Sequence, residues 1–238
     1  LKLLKFLKNC IRNIHDFVFP RVCIISEKKL YENNSNPFIR DEVLNSLPKL
    51  NLKDESLLKT KINYPHAFSL YVFRSNNDVQ KLVHSIKYEG FKSLGVFAGE
   101  LLGKELLAND YKSLTEYDFI IPVPLHKSKL RERGYNQSDL ISEGLSKILN
   151  VPVKSDVIIR SKNTKSQTHL TAEKRKLNVA DAFNINKNYY GFLKGKKIIL
   201  LDDIITTGST IKEILSVILR ANASSVFILS LAHTQDPH

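Results

Sequence analysis

Lys196-Lys197-Ile198-Ile199-Leu200-Leu201-Asp202-Asp203-Ile204-Ile205-Thr206-Thr207-Gly208-Ser209-Thr210 is the stretch on which the fold turns. A continuous apolar strand, Lys197–Leu201, ends in two adjacent carboxylates. A turn of Thr, Thr, Gly, Ser and Thr follows, and then a helix over Thr210–Ala221. An apolar run without alternation reads as a strand buried on both faces, as in a parallel sheet. Ligands of such sheets bind beyond the carboxyl ends of the strands, where this turn lies. Gly208 permits a tight turn and close backbone approach. Hydroxyls and backbone N–H groups at a helix start make an anion site, aided by the helix dipole. The turn lacks the G-x-x-x-x-G-K-[ST] pattern of a Walker A loop. Asp202 and Asp203 would repel a bare phosphate; they fit a ligand that carries ribose hydroxyls or Mg²⁺ beside its phosphate. The same residues also read as a plain strand end with a capping box, Thr210 with Glu213. A cap and a phosphate can share one helix start.

Outward from this stretch the order is regular. Phe68–Phe73, Asp118–Val123, Val157–Ile159 and Val226–Leu231 read as strands. Asn77 caps a helix with Val79, Leu82, Val83 and Ile86 on one face. Leu94, Phe97, Ala98, Leu101, Leu102 and Leu106 form a second helical stripe, and Asn136–Leu149 a third helix. Alternating strands and helices predict an α/β fold, a mostly parallel sheet with helices on both faces. Leu50–Pro65 is polar and weakly patterned. We place a domain boundary there: a small amino-terminal helical and irregular domain over 1–65, and an α/β domain over 66–238.

The net charge of +12 sits in two blocks. Leu1–Lys29 carries seven Lys/Arg against two acids, and His126–Lys176 twelve against five. A basic block can bind nucleic acid, anionic lipid or a phosphorylated small molecule, or be a solvated face. In the second block, Pro122-Val123-Pro124-Leu125-His126 leaves a strand and opens a loop with Lys127, Lys129, Arg131 and Arg133. Arg engages phosphate groups bidentately, so this loop is a candidate site for a phosphorylated ligand, or a solvated basic helix turn; His126 alone reads equally as structural. Further on, Arg160, Lys162, Lys165, Gln167 and Arg175 lie in a polar stretch without an apolar stripe until Leu170. It reads as an ordinary exposed loop or as a basic lid over a polyanion site.

Leu200–Thr210 resembles the phosphoribosyl-pyrophosphate (PRPP) signature of type I phosphoribosyltransferases: apolar strand, two acids, two aliphatics, Thr-Thr-Gly-x-Thr. Pro122-Val-Pro-Leu-His, Arg131-x-Arg133-Gly134-Tyr135-Asn136-Gln137, the run Arg160…Thr164…Gln167…Leu170…Arg175…Asn178…Phe183 and Leu82…Ile86-Lys87-Tyr88 are similar to the ComF family. The likeness extends from about Phe68 to Ala232. It implies a type I phosphoribosyltransferase fold, with Thr206, Thr207, Gly208, Ser209 and Thr210 on the 5′-phosphate. It implies Asp202 and Asp203 on the ribose hydroxyls, directly or through Mg²⁺ and water. Arg131, Arg133 and the loop lysines would stabilise departing pyrophosphate. The resemblance also implies partners in DNA uptake and natural transformation. An active transferase, a non-catalytic module of the competence machinery and a direct single-stranded DNA binder remain three readings; the last lacks an aromatic stacking row. No segment declares a purine or pyrimidine pocket.

The family commonly opens with a four-cysteine zinc module. Phe19-Pro20-Arg21-Val22-Cys23 looks like its beginning, but Ser26 stands where the second cysteine of a C-x₂-C pair would be. The chain holds two cysteines, Cys10 and Cys23. A structural zinc site wants four Cys/His ligands, so we expect no zinc and a first domain held by apolar contacts. Two cysteines also fit a reducing compartment. Leu3, Leu4, Leu7, Ile11, Ile14, Phe17 and Val18 mark an amphipathic helix before Pro20, with lysines interrupting any signal-peptide core. No apolar run approaches the ~20 residues of a bilayer span. The expectation is a cytoplasmic protein without a membrane span.

Overall fold

A computed structural model describes residues 21–75, 77–160 and 182–235. By its contacts the chain divides into two units, Leu1–Leu47 and Pro48–His238. The expected amino-terminal helix lies outside the described residues.

In the first unit, Val22 and Lys29 form an antiparallel bridge around a tight turn. Cys23 is fully buried, and its sulfur accepts the backbone N–H groups of Ser26 and Arg40, each at 3.4 Å. Burial pushes its thiol up, but hydrogen bonds from Ser26 and the Arg40 backbone outweigh this and lower it. The next turn is held by side chains. Asn36 Oδ1 accepts from the N–H groups of Phe38 and Ile39, and Asn34 Oδ1 from that of Asp41. Asp41 in turn accepts from Ser35 N and Oγ. Helix α1 (Asp41–Ser46) follows. Buried Ile25, Leu30, Ile39 and Leu47 supply the apolar side chains. This polar network accompanies the apolar contacts expected from the sequence.

The second unit opens with helix α2 (Leu52–Ile62), in the stretch read as a domain boundary. Asn51 Oδ1 caps it by accepting from Asp54 N at 3.0 Å. Leu58 and Ile62 enter the core beneath the sheet. The contacts therefore place the division at Leu47/Pro48 rather than at 65/66. The stripe is hard to read because Leu52 and Leu57 are exposed while Asp54 is buried.

Strand β1 (Ala67–Phe73), helices α3 (Asp78–Tyr88) and α4 (Lys92–Ala108), and strand β2 (Phe119–Pro122) come next. They are followed by helices α5 (Lys127–Arg133) and α6 (Gln137–Leu149), and by strands β3 (Ile158–Arg160) and β4 (Phe183–Ile185). Strand β5 (Lys197–Ile205), helix α7 (Ser209–Arg220) and strand β6 (Ser225–Thr234) complete the unit. The sheet is parallel throughout, in the order β1-β6-β5-β2, with Ile121 opposite Leu200 and Leu200 opposite Ile228. Backbone around Lys49 bridges β1 at one edge and Val153 bridges β2 at the other. Strands β3 and β4 form a separate antiparallel pair.

Ile198, Ile199, Leu200 and Leu201 are all fully buried, as a strand covered on both faces requires. Side chains alternate along a strand. Ile198 and Leu200 share a core with Leu58 and Ile62 of α2 and Ile214 and Ile218 of α7. On the other face lie α4 and α6, which touch β6, β5 and β2. Two glycines let α4 and α6 meet backbone to backbone. A Cβ on Gly99 would lie 2.0 Å from Ile141 O, and one on Gly144 1.9 Å from Val96 O.

Two local readings are corrected. Lys127–Arg133, read as a loop, is a seven-residue helix, because His126 caps its start and Gly134 (φ 77°) ends it. The capping box is absent. Helix α7 begins behind Gly208 without a side-chain cap, and Glu213 Oε1 accepts instead from Ala182 N at 2.6 Å.

Candidate functional site

Strands β2 and β5 are parallel neighbours, so the turns after Pro122 and Ile205 emerge on the same edge of the sheet. The pairing of β5 with β6 continues to Ile205, which places Asp202 and Asp203 inside the final paired stretch, not beyond it. The turn to α7 then takes only Thr206, Thr207 and Gly208. Gly208 adopts φ 74°, in the left-handed region, and a Cβ there would meet Ile62 Cγ2 at 3.1 Å. Thr207 Oγ1 and Ser209 Oγ lie 2.9 Å apart, and Ser209 N points to Thr207 Oγ1 at 3.4 Å. Thr206, Thr207 and Ser209 are exposed, with Thr210 half-buried, at the positive end of a twelve-residue helix. Exposed hydroxyls at the positive end of a helix can form a cradle for an anion.

The acids are held by three other elements. Lys87 Nζ, on the last turn of α3, sits 2.9 Å from Asp203 Oδ2, with both side chains largely buried. Ser138 Oγ, on the first turn of α6, donates to Asp202 Oδ1 at 3.3 Å. The backbone of Asp203 donates to Asp202 Oδ1 at 2.9 Å, and that of Ile204 to Asp203 Oδ1 at 2.7 Å. Burial, and after it the charge of Asp203, hold the Asp202 carboxyl well above the usual carboxylate range, with Lys87 pulling the other way. One acid thus carries a cation and its neighbour favours its proton.

The loop after β2 is anchored by Asn136, whose Nδ2 donates to Val123 O at 3.1 Å while its Oδ1 accepts from Ser138 N. Pro124, Leu125 and His126 are half-buried; Lys127, Lys129 and Arg131 are exposed. His126 works as a cap: its Nδ1 accepts from Ser128 N at 3.2 Å. Arg133 is directed to a tyrosine rather than to the acids. Its guanidinium lies 4.8 Å over the Tyr88 ring, donates to Tyr88 Oη at 3.0 Å, and reaches Gln137 Oε1 at 3.2 Å. Tyr88 follows Lys87 in the chain, so the end of α3 joins the basic helix to the acid pair. Arg160 stands over the Phe183 ring at 5.2 Å. Burial lowers its guanidinium, opposed by the charges of Glu213 and Asp202. Lys162, Lys165, Gln167 and Arg175 lie outside the described residues.

The phosphoribosyl transferase domain family matches residues 139–236. The DNA utilization protein YhgH of Escherichia coli (strain K12) is 33% identical over 154 residues, 64% of this chain and 66% of that protein. Competence protein F of Haemophilus influenzae is 37% identical over 115 residues, 48% of this chain and 49% of that one. Competence protein ComFC of Streptococcus pneumoniae is 28% identical over 162 residues, 67% of this chain and 66% of that protein. This chain is similar to the ComF-type competence proteins. Its fold is that of the phosphoribosyltransferases, and the matches cover between about half and just under two thirds of these relatives' own lengths. Among solved structures, the allosteric regulatory enzyme of purine biosynthesis aligns with a TM-score of 0.41 at 16% identity, over 63% of this chain and 30% of that one.

The donor set offers two acids to a hydrated Mg²⁺. That ion needs one or two carboxylates, keeps several waters and draws further oxygens from substrate phosphates. Asp202 and Asp203 are the acids such an ion would meet, in place of the Lys87 ammonium and the Asp202 proton. Among the described residues no group of three or more His, Cys, Asp or Glu side chains could hold a metal alone. Lys87 and Ser138 had no assigned role in the sequence reading. The only signal for Lys87 was its place in the family-like Ile86-Lys87-Tyr88 run; Ser138 looked like any residue in the first turn of a helix. No helix among the described residues is long and apolar enough to cross a membrane.

Proposed function

We propose that this ComF-like protein binds PRPP with Mg²⁺ and transfers the phosphoribosyl group to an acceptor, releasing pyrophosphate, in support of DNA uptake. The observation that carries the reading is the juxtaposition of the Asp202–Asp203 pair, with Lys87 on it, and the Thr206–Ser209 cradle at the start of α7. A phosphate next to acids makes sense for a ligand whose ribose hydroxyls the acids can accept. Thr206, Thr207, Gly208, Ser209 and Thr210 would take the 5′-phosphate. Asp202 and Asp203 would hold Mg²⁺, which would supply charge neutralisation for the pyrophosphate.

The reaction is a displacement at the ribose anomeric carbon. The bond to the pyrophosphate oxygen breaks, the bond to the incoming nucleophile forms, and positive charge builds on the ribose ring. Such a transition state is served by positioning and fixed charge. Asp202 and Asp203 hold the electron-poor ribose. Lys87 lies where it can balance the acids before the ligand arrives and face the anionic side of the ligand afterwards. The exposed Lys127, Lys129 and Arg131 add positive charge at the same sheet edge, and Arg160 with the remaining basic residues of 160–175 is the candidate lid.

Calorimetric titration of PRPP into the full-length protein, with and without Mg²⁺, tests the reading. Saturable binding that needs Mg²⁺ is expected. Asp202→Asn with Asp203→Asn should abolish it while the thermal unfolding midpoint survives. Unchanged affinity in the double variant would refute the site. Binding without turnover across an acceptor screen would identify a non-catalytic module of the competence machinery. Salt-steep binding of single-stranded DNA in place of PRPP would identify a nucleic-acid binder.

A further inference from the structure

The cradle that would take the 5′-phosphate contains no cation of its own: Asp202 to Ile211 holds neither Lys nor Arg. Positive charge reaches it from behind. Lys61, in the last turn of α2, donates from Nζ to Thr234 O and, at 3.1 Å, to Thr234 Oγ1. The Thr234 hydroxyl then donates to Thr206 O at 3.2 Å. A threonine hydroxyl can donate once while accepting, so both bonds stand together. The same end of α2 also backs Gly208, with Ile62 Cγ2 at 3.1 Å and Lys61 O at 3.5 Å from where a side chain would begin. Helix α2 is pinned to the strand that carries Thr234, because buried Asp54 accepts from Gln235 Nε2 at 2.5 Å.

We propose that Lys61 is a positioning residue of the phosphate cradle. It acts through Thr234, fixing the Thr206 carbonyl so that the following N–H groups and hydroxyls converge on a phosphate monoester. Its ammonium adds charge of the sign that such a dianion needs. The geometry selects the phosphate end of the ligand and not the pyrophosphate end, which lies toward α5. This inference rests on reading Thr206–Thr210 as the 5′-phosphate site.

The test uses the full-length protein and three probes: ribose 5-phosphate, PRPP with Mg²⁺, and pyrophosphate with Mg²⁺. Lys61→Met and Thr234→Val should each weaken ribose 5-phosphate and PRPP about tenfold, as loss of a charge-assisted hydrogen bond does. The double variant should be no worse than the weaker single one, because the two residues form one relay. Lys61→Arg and Thr234→Ser should restore affinity. Pyrophosphate should bind every variant as it binds the wild type, a distinction that general loosening of the fold would erase. Equal ribose 5-phosphate affinity in Lys61→Met, or additive losses in the double variant, overturns the role of Lys61 while leaving the site intact. Wild-type protein that binds neither ribose 5-phosphate nor PRPP overturns the phosphate site itself, and the proposal with it.

Discussion

His233 is fully buried near the carboxyl end of β6, and its ring titrates only at about 4, against an ordinary 6.5. Burial is the main cause and the charge of Lys61 the second; Asp54 and the Tyr71 backbone oppose them. The folded protein therefore keeps His233 neutral where the unfolded chain would charge it. Below pH 6.5 the unfolded state binds the extra proton, so stability falls as pH drops towards 4. The loss assigned to this residue is about 3 kcal/mol across that window. Urea unfolding of wild type and His233→Phe over pH 4–7 checks it. The variant should lose less stability on acidification, and parallel curves would show that His233 is not the titrating group. Cys23 makes the complementary point. Its sulfur takes two backbone N–H groups at 3.4 Å, and Asn34, Asn36 and Asp41 tie the following turn by hydrogen bonds.

Among the elements, the α4–α6 pair shows how small residues position a site. Ser138, which touches Asp202, stands at the start of α6, and α6 is seated against α4 through Gly99 and Gly144. Gly144→Ala would set a methyl 1.9 Å from Val96 O, a backbone atom that cannot rotate away. We expect a loss of about 3 kcal/mol in denaturant unfolding, as overpacking at a tight contact gives. A loss near zero would mean that the helices separate easily. Helix α4 was legible from its apolar spacing, and Asn77 and Asn136 were legible as starts because their side chains do cap α3 and α6. Helix α2 was not legible. Only Leu58 and Ile62 of its apolar residues are buried, too few to mark a stripe. Helix α5 escaped for a different reason: it buries no residue, so its sequence carries charge without periodicity.

For the second unit as a whole, α2 belongs with the sheet. A fragment starting at His66, as a boundary at 65/66 would cut it, loses Leu58, Ile62, Lys61 and Asp54. It uncovers the core beneath β1 and β5 and the back of Gly208. Removing two buried aliphatic side chains alone costs roughly 3–6 kcal/mol. The 66–238 fragment should therefore melt well below one spanning 48–238, as followed by far-ultraviolet circular dichroism. Equal melting temperatures would show that α2 is dispensable.

Strands β1, β2, β3, β5 and β6, helices α3, α4, α6 and α7, the parallel sheet, the turn after β5 and the acid pair were all determined locally. Each is written in a short run of residues: an unbroken apolar strand, two carboxylates, a glycine that accepts φ 74°, and a helix behind it. What tertiary structure decided is which distant side chains complete the site. Lys61 and Thr234 are 173 residues apart, and Lys87 reaches Asp203 from a helix that three strands separate from it in the chain. Arg133 was assigned to pyrophosphate from its loop, yet in the fold it rests on Tyr88. Hydrophobic periodicity encodes which face of an element is buried. A single charged residue at a helix end has no periodicity, and only the packing of that helix says which carboxylate or carbonyl it meets.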